Sequence, residues 1–136
     1  MPDPHHHIDP PIVAAAYNRK WDEVRRIVSL GSKQANVNGK GQYGDTALIY
    51  AAYHEQYDVV RLLVEHEANI DAQNNDGWTA LITCARNGHE RMVQLLIELK
   101  ATLNIKDWYG KSALQLSRQN GFDDIAAMIH RAGGDD

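Results

Sequence analysis

The feature that most constrains the fold of this chain is an internal repeat with a period of 33 residues. A Gly-x-Thr/Ser-Ala-Leu pattern begins at positions 44, 77 and 110. An apolar pattern follows with the same step at 60–63, 93–96 and 126–129. A unit of this length cannot bury its apolar side chains alone, so the period predicts units that stack into a solenoid with a continuous core.

An earlier copy of the repeat precedes these three, at a longer step. Residues 21–28 match residues 57–64 at a step of 36, and the step returns to 33 at residue 35. Three residues are therefore inserted around positions 29–34. Four repeats are predicted, at about 9–40, 41–73, 74–106 and 107–131, with flexible tails at 1–8 and 132–136.

Each repeat has the pattern of two short helices joined by turns. Thr46, Thr79 and Ser112 are suited to cap the first helix, because their hydroxyls can accept backbone N–H groups. Gly88 and Gly121 are placed to end that helix in a left-handed conformation. An apolar second helix follows, which predicts an all-α fold.

The motif of residues 74–97 resembles the ankyrin repeat, whose pattern is roughly D-x-x-G-x-T-P-L-H-x-A-A, then G-H and V-V-x-L-L-L. The resemblance extends over residues 9–131. Pro11 holds the proline slot of the first copy, but the later copies depart from the pattern. This proline is replaced by Ala47, Ala80 and Ala113. The histidine of the T-P-L-H pattern is replaced by Ile49, Ile82 and Gln115. The resemblance implies stacked helix-turn-helix units joined by β-turn or hairpin-like tips.

Polar residues occupy apolar slots at the two ends of the repeat array. Glu23 and Arg26 stand where later copies have apolar residues. In the last copy, Arg118 and His130 stand where earlier copies have apolar residues. Terminal repeats of solenoids need polar outer faces. We therefore interpret these residues as caps of a complete four-repeat array. In the inner repeats Leu62, Leu63, Leu95 and Leu96 are predicted to be buried between layers.

Residues that could support catalysis or metal binding do not form a recognisable site. Cys84 occupies an alanine position, which favours a small core residue over a nucleophile. Histidines 54, 66, 89 and 130 fall at four different repeat positions, and His5–His7 lie on a proline-rich tail without spaced donors. No phosphate-binding glycine motif is present. We expect no enzymatic activity, cofactor or metal.

Composition narrows the possible partners and location. The net charge of −4 argues against nucleic-acid binding, which usually needs a basic patch. No run of about 20 apolar residues suggests a membrane span. The single cysteine and the lack of a signal-peptide pattern favour the cytoplasm.

Aligned positions of successive repeats become neighbours in a solenoid, and the resemblance implies that tips and first helices form the concave, partner-binding face. Tyr, Trp and Arg, the residues enriched in binding hot spots, recur in these columns. The columns are Tyr17, Tyr53, Arg86 and Gln119; Tyr43, Asp76 and Tyr109; Asp45, Trp78 and Lys111; and Gln42, Asn75 and Trp108. Charges at the tips, including Asp107, alternate in sign. Trp78 and Trp108 have a second interpretation, in which they pack one tip on the next.

These observations predict a monomeric protein-binding module that acts as an adaptor, inhibitor or regulatory subunit. One alternative is a scaffold that self-associates or remains in a permanent complex. A third hypothesis is a weak metal-dependent activity that uses the histidines.

Overall fold

The computed structural model describes residues 8–135, so His5–His7 lie outside the described residues. Nine helices lie in the described part: α1 Pro11–Tyr17, α2 Trp21–Val28, α3 Ser32–Ala35, α4 Ala47–Tyr53, α5 Tyr57–Glu65, α6 Ala80–Asn87, α7 Glu90–Glu98, α8 Ala113–Gln119 and α9 Asp123–Arg131. The β-structure of these residues is one isolated bridge, between Lys106 and Ser112. The all-α prediction is confirmed. None of these helices is long and apolar enough to cross a bilayer.

The helices form two layers, as a stacked repeat requires. The first helices contact one another in succession, α1 with α4, α4 with α6 and α6 with α8. Each first helix also packs on the second helix of its own repeat: α2, α5, α7 and α9. The small side chains Ala51, Ala52 and Ala85 are fully buried at these contacts.

The predicted caps are present at the start of the first helices. The hydroxyls of Thr46 and Thr79 accept the backbone N–H three residues ahead, at 3.2 and 3.1 Å. In the last repeat Ser112 and Gln115 cap each other's backbone N–H groups in a capping box. Gln115 therefore has a specific structural use at the position where the family pattern has histidine.

Left-handed residues end the first helices in every repeat. Gly88 and Gly121 have φ of 78° and 81°, which confirms the prediction. In the first two repeats Arg19 and Glu55 take the same slot, with φ of 59° and 58°. A side chain at such a φ is unfavourable in isolation, so the packed turn must hold these two residues there.

The insertion in the first repeat forms the short helix α3, which the sequence did not predict. It is followed by a turn in which Asn36 has a positive φ of 50°. Ala35 and Val37 are buried, with 2% and 3% of their surface exposed. Helix α3 thus leads the chain from α2 to the buried positions at which the 33-residue step resumes.

The predicted leucine core is correct at three of four positions. Leu63, Leu95 and Leu96 are buried, but Leu62 is only half-buried, which corrects the prediction. Successive residues of a helix point about 100° apart, and Leu62 lies at the boundary between the buried side of α5 and its exposed side at Arg61. On α5 the fully buried side is that of Leu63.

Side-chain oxygens join the loops that follow the second helices. An oxygen of residues 38, 71 and 104 accepts a backbone N–H from the residue 31 positions ahead. The pairs are Asn38 with Asn69, Asp71 with Thr102 and Asn104 with Asp135, at 2.6, 2.9 and 2.8 Å. The same interaction therefore recurs at each repeat step and includes the final described residue.

The segment after α9 is part of the array, contrary to the predicted flexible tail at 132–136. Asp135 bonds to Asn104 as described, and the backbone N–H of Gly134 donates to Ile129 at 2.9 Å. Gly134 is buried. The repeat boundary therefore lies beyond residue 131, because these contacts repeat those of the equivalent loop one repeat earlier.

Candidate partner-binding site

A cleft of about 310 Å³ lies on the face made by the tips and first helices of the second and third repeats. We call it the central cleft. Four of its residues were predicted to bind a partner: Asp45, Tyr53, Trp78 and Arg86. Five others were not predicted: Ile49, Tyr50, Asn74, Thr83 and Asn87. The structure thus brings two of the four aligned columns to one place.

Trp78 and Arg86 form one wall of the central cleft. The guanidinium carbon of Arg86 lies 4.2 Å from the centroid of the Trp78 ring, as a cation–π contact. The indole Nε1 of Trp78 donates to the Asp107 carboxylate at 3.2 Å. This hydrogen bond from the next repeat holds the ring in the orientation on which Arg86 lies.

Asp45 and its partners form the opposite wall. The Asn74 amide donates to Asp45 Oδ1 at 2.9 Å, and the hydroxyl of Tyr50 also donates to this carboxylate. Loss of water around the carboxyl group raises the pKa of Asp45, and the nearby charge of Asp76 adds to the effect. The same environment raises the pKa of Tyr50. Asp45 is therefore a half-buried acid held by neutral donors.

Aromatic rings continue along the first helices beside the cleft. Tyr17 packs edge-on against Tyr50 with ring centroids 5.8 Å apart, and Tyr53 lies 5.8 Å from the ring of His89. Tyr17 and Tyr53 nevertheless keep 53% and 45% of their surface exposed. Each ring thus has one packed side and one side free for a partner.

Thr83 lies beneath the cleft with its polar atom unused. Its residue is 6% exposed, and Oγ1 has no hydrogen-bond partner among the described residues. Sequence reasoning missed Thr83 and Tyr50, although both stand in one column of the repeat alignment. The column shows no enrichment in hot-spot residue types, since it also holds Ala14 and Leu116.

Trp108 lies outside the central cleft, against the preceding tip. Its backbone N–H donates to Asp76 at 3.2 Å, and its ring covers Gly77, where an added Cβ would come within 2.7 Å of the ring. Gly77 also has a φ of 82°, so the close approach and the turn both require glycine. This contact supports the interpretation of Trp108 as tip-to-tip packing, although 64% of its surface stays exposed.

The remaining predicted residues are on the tips and the last first helix and do not line the cleft. Gln42 and Asn75 are joined by a hydrogen bond from the Asn75 amide to the Gln42 carbonyl, at 3.2 Å. The others are exposed: Tyr43, Asp76, Tyr109, Lys111 and Gln119. The structure does not gather these seven residues into a second pocket.

Asp107 is one of the tip charges of alternating sign, but the structure buries it. Only 6% of its surface is exposed, and Oδ1 accepts the backbone N–H groups of Tyr109 and Lys111, both at 2.9 Å. A carboxylate that accepts several N–H groups fixes a turn. Asp107 therefore holds the fourth tip and, through Trp78, the wall of the cleft.

Potential metal ligands are dispersed in the described part of the chain. No group of three or more His, Cys, Asp or Glu side chains comes together between residues 8 and 135. Cys84 is fully buried, and burial raises the pKa of its thiol. A thiol with a raised pKa forms little of the reactive thiolate.

Comparison with known families agrees with this geometry. The profile described as ankyrin repeats (many copies) matches residues 12–64 and 50–97, which together span more than half of the chain. The chain is an ankyrin-repeat protein. Ankyrin repeats generally mediate protein–protein interactions and are generally non-enzymatic. No curated protein matched the chain.

Proposed function

We propose that this ankyrin-repeat chain binds a protein partner on the face made by its tips and first helices. The central cleft is the observation that supports this most, since Tyr53, Trp78 and Arg86 meet there on a rigid two-layer scaffold. Buried anchors of these three types commonly supply most of the energy of protein interfaces.

The partner would be occluded or tethered by a monomer that does no chemistry of its own. An adaptor, inhibitor or regulatory subunit in the cytoplasm fits this mode of action. The exposed rings of Tyr17, Tyr43 and Tyr109 extend the surface beyond the cleft. A specific interface typically takes about 800 Å² from each partner, so these rings would contribute at its margins.

The first test removes a ring on which the fold does not depend. Tyr53→Ala should weaken binding of a partner, isolated by affinity capture with the whole chain, by about thirtyfold, because a hot-spot truncation costs ~2 kcal/mol. The melting temperature should change little. Trp78→Ala should weaken binding too, but also lower stability, since it removes the donor to Asp107.

Second-helix variants serve as matched controls. Arg61→Glu and Glu98→Lys alter exposed residues of α5 and α7 on the opposite layer, so binding should hardly change in a calorimetric titration. A partner that responds to Arg61 and Glu98 but not to Tyr53 would show that the other face binds. Concentration-dependent mass in sedimentation, with no partner captured, would favour the self-associating scaffold instead.

A further inference from the structure

We propose that the central cleft receives an acidic side chain, Asp or Glu, of the partner, and that Arg86 binds its carboxylate. This inference rests on the proposed function and specifies the chemistry of the segment that is recognised. Its carrying observation is that the guanidinium of the half-buried Arg86 lies on the Trp78 ring and has no acceptor among the described residues.

The Arg86 guanidinium is unpaired within the described part of the chain. Its contact is the face of Trp78, and no hydrogen bond or ion pair joins the guanidinium to another residue between 8 and 135. The contact with the ring leaves the guanidinium N–H groups without an acceptor between residues 8 and 135. These N–H groups match the two oxygens of a carboxylate.

Arg86 is also preorganised for binding. Its guanidinium lies on the Trp78 ring, and that ring is fixed by its hydrogen bond to Asp107. A side chain that is already ordered loses less conformational entropy when a partner binds. The interaction with an incoming carboxylate should therefore appear largely as binding free energy.

Two of the acids near the cleft, Asp45 and Asp107, already accept hydrogen bonds from other donors, and the third, Asp76, is exposed to water on its tip. Asp45 accepts from Asn74 and Tyr50, while Asp107 accepts two backbone N–H groups and the Trp78 indole. A basic side chain at Asp45 is the competing occupant of the cleft. The acidic occupant is favoured because Arg86 has no acceptor, whereas Asp45 has two donors.

The rest of the cleft suits the stem of such a side chain. Its volume of about 310 Å³ is at the lower end of the ~300–1,000 Å³ of ligand pockets, which fits one or two side chains. The Tyr53 ring offers an apolar wall, and the Thr83 hydroxyl beneath has no partner among the described residues. A partner segment with an apolar residue next to its acidic residue would place the apolar side chain against the Tyr53 ring and the carboxylate at Arg86.

The experiment selects peptides from a random displayed library on the intact chain and measures synthetic copies by calorimetry. Each selected peptide that competes with the others is titrated against wild type, Arg86→Gln and Arg91→Gln. Glutamine is tolerated in this repeat position, since Gln119 holds it in the last repeat. Arg91 is the matched control because its guanidinium lies 4.7 Å from the Tyr57 ring on the second-helix layer.

The selected peptides should share one Asp or Glu. Arg86→Gln should weaken their binding about thirtyfold, while Arg91→Gln should leave their binding unchanged. Replacing the shared acid by its amide should cause a similar loss on wild type and little further loss on Arg86→Gln. This non-additivity identifies the pair, because a double-mutant cycle isolates their direct interaction.

Other outcomes overturn the inference and separate it from the proposed function. Binding that is weakened by Tyr53→Ala but not by Arg86→Gln would refute the acidic occupant and keep the binding face. The same conclusion would follow if the peptides shared a basic residue whose contribution to binding depends on Asp45. Peptides indifferent to Tyr53→Ala but weakened by Arg61→Glu would refute both. If no peptide were selected, an acidic segment would not be sufficient for recognition, and the inference would also be refuted.

Discussion

His54 places a titratable side chain at a repeat position where the other repeats have none. Asn18, Asn87 and Asn120 stand in the same slot of the other repeats. The His54 ring lies 5.9 Å from Trp21. Loss of water lowers the pKa of His54 from its usual 6.5, and the nearby positive charges of Arg19 and His89 lower it further.

This lowered pKa predicts a dependence of stability on pH. Because the folded state favours neutral His54, its stabilising contribution is present above pH 6.5 and is lost as pH falls through the folded pKa. His54→Asn should therefore lose less unfolding free energy than wild type between about pH 7 and pH 5. Urea unfolding at the two pH values measures the difference.

A second histidine provides the control for this measurement. His130 is exposed on α9, so His130→Asn is the matched histidine substitution away from the Trp21 contact. An equal loss of stability in wild type and His54→Asn would show that His54 does not contribute to it.

At the scale of elements, a repeat helix is stabilised mainly by the side that it buries. On α5 the residues Val59, Val60 and Leu63 are fully buried, while Leu62 is half-buried and Arg61 is exposed. An isolated helix of nine residues is too short to be stable in water. Contacts with α2 and α4 therefore maintain it, and the first-helix layer with its cleft depends on the same contacts.

Two adjacent leucines test this assignment of the faces of α5. Leu63→Ala should lower the unfolding free energy by ~2–5 kcal/mol, because it leaves a cavity among fully buried side chains. Leu62→Ala should cost clearly less, since its side chain is partly exposed in the folded state. Guanidinium unfolding of both variants would contradict the assignment if Leu62→Ala were the more damaging.

At the scale of the whole molecule, the α2 face opposite the later repeats is polar. Glu23 and Arg26 form an ion pair there, with 2.5 Å between a guanidinium nitrogen and a carboxylate oxygen. The slots that correspond to Glu23 hold Val59 and Met92 in the next repeats, and both are fully buried. The same helix position is thus covered within the array and open to water on α2.

This difference predicts that an apolar α2 face would associate. Glu23→Val combined with Arg26→Leu should add a hydrophobic patch and raise the mass in sedimentation velocity as the concentration increases. Glu23→Gln combined with Arg26→Gln removes the same charges without adding apolar surface, so it should behave as wild type. A monomeric Val/Leu variant at all concentrations would contradict the interpretation of this face as a cap.

The sequence alone determined the features that each repeat contains within itself. Caps such as Thr79, turn glycines such as Gly88 and the buried Cys84 follow from local hydrogen bonds, backbone sterics and residue size. The hot-spot columns also located part of the cleft, since Tyr53 and Arg86 lie in it. These features recur at a fixed step, so comparison of one repeat with the next reveals them.

Only the tertiary structure decided which of the recurring side chains meet and which are already used. The Asn74–Asp45 and Asp107–Trp78 bonds cross from one repeat to the next, and the second gives the Asp107 carboxylate a structural role. The contact of Asp135 with Asn104 likewise extends the array past its predicted boundary. Such contacts depend on the side chain that the neighbouring repeat presents, and the pattern within one repeat does not contain that information.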